Sequence, residues 1–381
     1  MKRIALIAVA MLACMACGES GKEQSAIRLL EEAEFNTVID GKQVALYTLT
    51  NSNGMTVQLT NYGARVAALW VPDRNGTFHD VVLGYESIDE YLSGDAYAGP
   101  VVGRYGNRIR EGRFTLDGKS YELNRNEGKN HLHGGSGGWW SKVWEAGPIA
   151  KEDCGCESIT FSLRSPDGEQ GYPGTVDIRI TYLLSHDNTL ALIYEATTDA
   201  PTVLNPTSHC YFNLHGSTMQ STDTHLLEIR ADSFTPTDAE LIPTGEIVSV
   251  EGTPLDFRTP TPIGQRIDDD FEALHFGKGY DHNFVLNRTG DLSIAAIVTE
   301  PSNGIRMTIH TNQPGLQFYS GNGMTGNGVG KWGNRFNYRS GIALETQNFP
   351  DAPNHPNFPS SVLRPGETYR QLTVYGFDTV E

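Results

Sequence analysis

The chain lacks any apolar run long enough to cross a bilayer as a helix. The apolar region at its start, Ile4 to Ala13, is about half of what a span requires. It also lacks an excess of positive charge: 29 Lys and Arg stand against 46 Asp and Glu, a formal net charge of −17. So acidic a chain repels nucleic acid and phosphorylated ligands at long range, which leaves a neutral ligand as the better candidate. Cysteine is scarce, five in 381 residues, without the paired spacing of a zinc site. Helical periodicity is nearly absent, as are internal repeats and low-complexity tracts. The 41 glycines and 19 prolines are spread evenly and mark no linker.

The first residues do carry a pattern. Met1-Lys2-Arg3 followed by a short apolar region has the form of a secretory signal. Ala13-Cys14-Met15-Ala16-Cys17 resembles a bacterial lipoprotein processing site, with Cys17 as the lipidated residue. Cys14 is a second candidate, because it stands where such sites usually carry Leu. The expectation is a signal over 1–16, a small polar tether over 17–35 and one domain over 36–381. The product would be an exported lipoprotein, in the periplasm or at the outer membrane, touching the membrane only through its anchor. Removing residues 1–16 takes away Lys2 and Arg3 and no acid, so −17 becomes −19. Cys154-Gly155-Cys156 could hold a strained disulfide or two free thiols.

What is present is strand after strand. Val57 to Trp70 is rich in β-branched residues and broken at Gly63. Arg113 to Leu123 reads as a hairpin about Asp117-Gly118, and Ser185 to Asn188 joins two further alternating runs. More than a dozen such runs continue to Phe377, and the best helix is a short one, Ser87 to Leu92, with Ser87 as N-cap. The pattern predicts an all-β fold, a large antiparallel sandwich.

The stretch Asn205 to Leu214 puts His209, Tyr211 and Asn213 at period two, so on an extended chain they share one face. A packed, satisfied histidine is the plain alternative. Far downstream, Glu345 interrupts the apolar run Ala343 to Gln347, and an imidazole and a carboxylate on separate strands are what a proton-shuttling site needs. Cys210 should point away from His209. Gly103-Arg104-Tyr105-Gly106-Asn107-Arg108-Ile109 places Asn107 and Arg108 in a glycine-permissive turn, as hydroxyl ligands or as a solvated surface. His131 and His133 stand beside a Gly-Gly turn, with Trp139, Trp140 and Trp144 following; these suit a sugar pocket better than zinc, since no third ligand is spaced for it. Asp281 at a loop-to-strand junction could accept two hydroxyl protons or serve as a turn cap. Gly321 to Gly326 matches a nucleotide-loop pattern but no helix follows. Asp268-Asp269-Asp270 offers oxygen ligands for a structural calcium ion, or forms a solvated face.

Taken together, six stretches resemble the aldose 1-epimerase (galactose mutarotase) family: Gly103 to Ile109, Leu132 to Gly135, Asn205 to Leu214, Tyr280 to Phe284, Pro314 to Tyr319 and Leu344 to Pro350. They occur in family order from about residue 40 to the end. The resemblance implies a large antiparallel β-sandwich, His209 as general acid and Glu345 as general base. It implies that Asn107, Arg108, His133, Tyr211, Asp281 and Gln317 hold the sugar. The substrate would be a monosaccharide and the protein is expected to be a monomer.

The chemistry follows independently. Interconverting anomers opens a cyclic hemiacetal: a base takes the 1-hydroxyl proton, an acid protonates the ring oxygen, C1–O5 breaks, C1 rotates and the ring recloses. No metal or redox cofactor is needed. Unperturbed pKa values of about 6.5 for His and about 4.3 for Glu suit the task. Two rivals stand beside this reading: a glycoside hydrolase working with Asp281 and Glu345, and a non-catalytic sugar-binding lipoprotein.

Overall fold

A computed structural model describes residues 27–95, 97–216 and 220–381. The expected signal, Cys14, Cys17 and the greater part of the tether lie outside the described residues.

Strands dominate, and they pair antiparallel throughout the named sheets. The largest sheet has ten strands. Its centre runs Glu157–Ser165, Val176–Leu184, Thr189–Thr198, Tyr369–Thr379, Ile305–Thr311, Ser293–Thr299. Val176–Leu184 alternates buried and exposed along its length, so its even-numbered side chains enter the core. A six-stranded sheet lies against it, with Ile342–Gln347, Gly315–Tyr319 and Asp281–Leu286 side by side. Here both faces are covered, as the unbroken burial of Ile342–Gln347 records.

Parity then decides which residues reach the core and which reach the site. Leu316, Phe318, Ile342, Leu344 and Phe284 join the main hydrophobic cluster between the sheets. Thr346 meets Thr373 of the large sheet through their hydroxyls, 2.6 Å apart. The odd-numbered partners therefore face the other way: Asp281, Gln317, Tyr319 and Glu345 look out of the sandwich, and Gln317 pairs in register with Glu345. Leu49, Val57, Leu59, Val66 and Leu69 of the Leu46–Thr50, Thr56–Thr60 and Arg65–Pro72 strands belong to the same cluster, which extends to Phe377.

Local signals hold where chemistry is short-range. Ser87 caps Ile88–Ser93 in a capping box with Glu90. Asp117 and Gly118 both take positive φ, the backbone of a tight hairpin turn between Arg113–Leu116 and Lys119–Glu122. Cys154 and Cys156 are joined in a disulfide, and Cys210 is free and buried. Asp268 is held by Arg339, Nη2 to Oδ1 2.7 Å, and Asp270 lies 3.3 Å from the His275 ring.

Candidate active site

A cavity of about 210 Å³ opens on the outward face of the six-stranded sheet. His209, Glu345, Tyr211, Asp281, Asn107, Arg108 and His133 all line it, together with Tyr97, Leu132 and Tyr319. A larger hollow of about 690 Å³ lies on the ten-stranded sheet. Its charged side chains are paired with one another, Arg164 with Asp177 and Arg179 with Glu195, and it contains no histidine. The titratable cluster is in the smaller cavity.

Each side chain is brought there by a specific backbone device. Thr207–Ser208 pairs with Val101–Val102, and the His209 amide donates to Pro100 O (2.8 Å), after which the chain turns into Tyr211–Phe212 beside Ile342–Gln347. Asn107 and His133 both take positive φ and lock to each other: His133 N donates to Asn107 O, and Asn107 N donates to His133 Nδ1, both at 3.0 Å. Gly134 permits this, since a Cβ there would lie 1.7 Å from Gly103 O. Arg108 gives two hydrogen bonds to Glu127, Nε to Oε2 2.7 Å and Nη2 to Oε1 2.8 Å, and its Nη1 is 3.7 Å from Asp281 Oδ2.

At the centre His209 Nε2 lies 3.7 Å from Glu345 Oε1, near but beyond hydrogen-bond length. The His209 ring packs edge-on against His133 and Tyr211, each at 5.0 Å between centroids, and tilts against Tyr97 at 5.6 Å. Burial pushes the Glu345 carboxyl up to about 7; the His209 and Arg108 charges oppose this and Asp281 adds to it. The sequence suggested an ordinary carboxylate, fully ionised at neutral pH. The structure corrects that, because Glu345 is only 2 % exposed and receives no donor at Oε2. His209 Nδ1 and Gln317 Oε1 are likewise buried without a protein partner.

His133, His209 and Glu345 lie close enough to suggest a metal site. The donor chemistry opposes it. Because Asn107 N–H donates to His133 Nδ1, the ring's proton must sit on Nε2, which makes His133 a hydrogen-bond donor and removes its outward lone pair. Burial holds its pKa well below the usual histidine value, so it remains a neutral donor.

Some expectations are revised. Asn213 does not share the cavity floor with His209 and Tyr211, because the strand is interrupted after Ser208; its amide donates instead to Ser340 O (2.8 Å). Gln317 is not among the cavity-lining residues; it lies behind Asp281 and donates Nε2 to Asp281 Oδ1 at 2.6 Å. Trp139 and Trp144 are core residues, packed edge-to-face at 5.8 Å, and Trp140 backs Tyr97; the cavity's aromatic walls are tyrosines. His131 bonds Asn124 O and the Tyr172 hydroxyl and faces away. Arg104, far from a solvated arginine, is buried on the carbonyls of Ser165, Pro166, Pro173 and Gly174. Tyr97, Tyr319 and Glu127 were not anticipated. Only Tyr319 carried a signal, sharing strand parity with Gln317.

The aldose 1-epimerase family model matches residues 45–376. A galactose mutarotase from Sus scrofa is 42 % identical over 326 residues, 86 % of this chain and 92 % of that protein. An aldose 1-epimerase from Escherichia coli K12 is 38 % identical over 343 residues, covering 89 % and 96 % respectively. Among solved structures, an aldose epimerase homologue from C. elegans superposes with a TM-score of 0.81 at 34 % identity, covering 89 % of this chain and all of that one.

Proposed function

The chain belongs to the aldose 1-epimerase family and interconverts the α and β anomers of free aldohexoses, and we propose that Glu345 and His209 carry the protons. The observation that carries this division of roles is the approach of His209 Nε2 to Glu345 Oε1, 3.7 Å, inside a cavity of monosaccharide size. The two oxygens on C1 of a pyranose, O1 and O5, fit a pair of groups so closely set. Glu345 in its ionised form takes the proton from the 1-hydroxyl. His209 gives a proton to the ring oxygen, the C1–O5 bond breaks, and C1 turns about C1–C2. Reclosure on the other face runs the same two transfers in reverse.

The surrounding residues bind and orient. Asn107 spends its Oδ1 on Arg108 N (2.8 Å), which leaves the amide NH₂ for a hydroxyl. His133 donates from Nε2, Arg108 from Nη1, and Asp281 accepts. Tyr97, Tyr211 and Tyr319 supply aromatic faces for the apolar side of the ring. Gln317 serves by fixing Asp281. The reaction so written uses no metal or redox group, and a structural calcium ion is not required by it; full rates after dialysis against a chelator test this.

Polarimetry tests the central assignment. Pure α-galactose or α-glucose should reach equilibrium rotation faster with the protein than without, and Glu345→Gln or His209→Asn should lower kcat by about 10² or more while binding survives. Wild-type rates in either variant would overturn that residue's role in proton transfer.

For the N-terminus the reading is export as a bacterial lipoprotein with Cys17 lipidated, in the periplasm or at the outer membrane, the enzyme acting as a monomer. Lipid labelling lost in Cys17→Ala but kept in Cys14→Ala supports this, and the reverse result moves the anchor to Cys14. Light scattering reports the oligomeric state.

A further inference from the structure

The proposed roles leave Glu127 without a task, although it is paired with Arg108, which lines the cavity. Both its oxygens accept from one guanidinium, Arg108 Nε at 2.7 Å and Nη2 at 2.8 Å. A forked pair of this kind fixes the plane of the arginine and not merely its charge. Glu127 is itself held by backbone: its amide and carbonyl pair with those of Asn130, and the Asn130 side chain ties to Glu111 N and Glu240. With two of three guanidinium nitrogens engaged, only Nη1 is left toward the cavity, where it lies 3.7 Å from Asp281 Oδ2. Asp281 in turn takes a 2.6 Å hydrogen bond from Gln317, the register partner of Glu345.

We propose that Glu127 is a positioning residue for the epimerase reaction: it aims Arg108 Nη1 at the substrate hydroxyls and balances that guanidinium's charge beside the catalytic carboxylate. The inference rests on Arg108 binding the sugar. Glu127 does not touch the substrate and takes no proton from it.

A double-mutant cycle on the full-length protein, followed by polarimetry, tests it. Glu127→Gln should raise KM about tenfold, the loss expected of a charge-assisted contact, with kcat within about threefold. Glu127→Asp, which keeps the charge, should recover part of the loss. In an Arg108→Lys background, where no fork can form, Glu127→Gln should add less than about twofold. A second readout separates positioning from mere loop support. With Glu127 neutral, the Arg108 charge acts on Glu345 with only Asp281 to oppose it, so the acid limb of the kcat/KM profile should move down by about half a unit. A silent Glu127→Gln with Arg108→Lys impaired overturns the inference alone. So does a full additive effect in the Arg108→Lys background, or an unmoved acid limb. A silent Arg108→Lys removes the assignment of Arg108 as a sugar ligand, and this inference with it.

Discussion

Among the described residues, two histidines and a glutamate gather twice. His133, His209 and Glu345 meet in the cavity; His215, His225 and Glu300 meet outside it. Both carboxylates are almost fully enclosed, Glu345 at 2 % and Glu300 at 1 % exposure. Their acidities diverge. Burial pushes Glu345 up to about 7, whereas at Glu300 bonds from His225 and Ser302 outweigh burial and hold it at about 2. The difference lies in donors. Glu300 Oε1 accepts from Ser302 N at 2.8 Å, and Oε2 has His225 Nδ1 at 3.0 Å, His215 Nε2 at 3.3 Å and the Thr224 hydroxyl at 3.4 Å. Glu345 Oε2 has no protein donor, and Oε1 has one nitrogen at 3.7 Å. The same composition gives a structural anion where donors are supplied and a proton acceptor where they are withheld.

The largest effect expected from this contrast is on rate. Glu345→Gln should cost about 10² or more in kcat, while Glu300→Gln, where it folds, should stay within about threefold. Comparable losses at both positions would erase the distinction. Next comes pH. Glu345 must be ionised to act, so kcat/KM should fall about tenfold for each unit below pH 7. A profile flat down to pH 5 would contradict a raised carboxyl.

Stability sharpens the contrast with opposite signs. Glu345 has a raised folded-state pKa, so the native protein carries the cost of a buried charge above about pH 7 and loses that cost once both states are protonated below the ordinary carboxylate range. Glu345→Gln should therefore stabilise by on the order of 2 kcal/mol at pH 8 and by nearly nothing at pH 4. Glu300 has a depressed value, so its contribution is present above the ordinary range and lost as pH falls toward 2. Glu300→Gln should destabilise by a similar amount, on the order of 2 kcal/mol, at pH 7, with the gap closing below pH 4. Thermal denaturation of both variants across pH checks the signs. The smallest effect belongs to His133→Asn: loss of one neutral donor should raise KM about fivefold with kcat little changed.

Much of this was legible beforehand because it is local. Period-two alternation found the strands, Asp117-Gly118 found its hairpin, and Ser87 found its helix. Non-local pairing was not legible. Nothing in Thr189–Thr198 announces that Tyr369–Thr379 lies beside it, and nothing in the Asp95 to Gly99 loop announces that Tyr97 covers His209. The Asn213 expectation failed because periodicity assumes an unbroken strand, and the chain turns at His209 and Cys210. The tryptophans were misplaced because large aromatics serve cores and sugars alike, and composition cannot tell which. The Glu345 carboxyl could not be judged from residue type, since its character comes from donors that are missing around it.

The scarcity of donors about Glu345 underlies both its chemistry and its contrast with Glu300. A carboxyl titration by ¹³C NMR on glutamate-labelled protein reads it directly, with Glu345→Gln and Glu300→Gln assigning the signals. The expected result is a Glu345 midpoint near 7 and a Glu300 signal still that of a carboxylate at pH 4. A Glu345 midpoint in the ordinary carboxylate range, or two carboxyls titrating together, would contradict it.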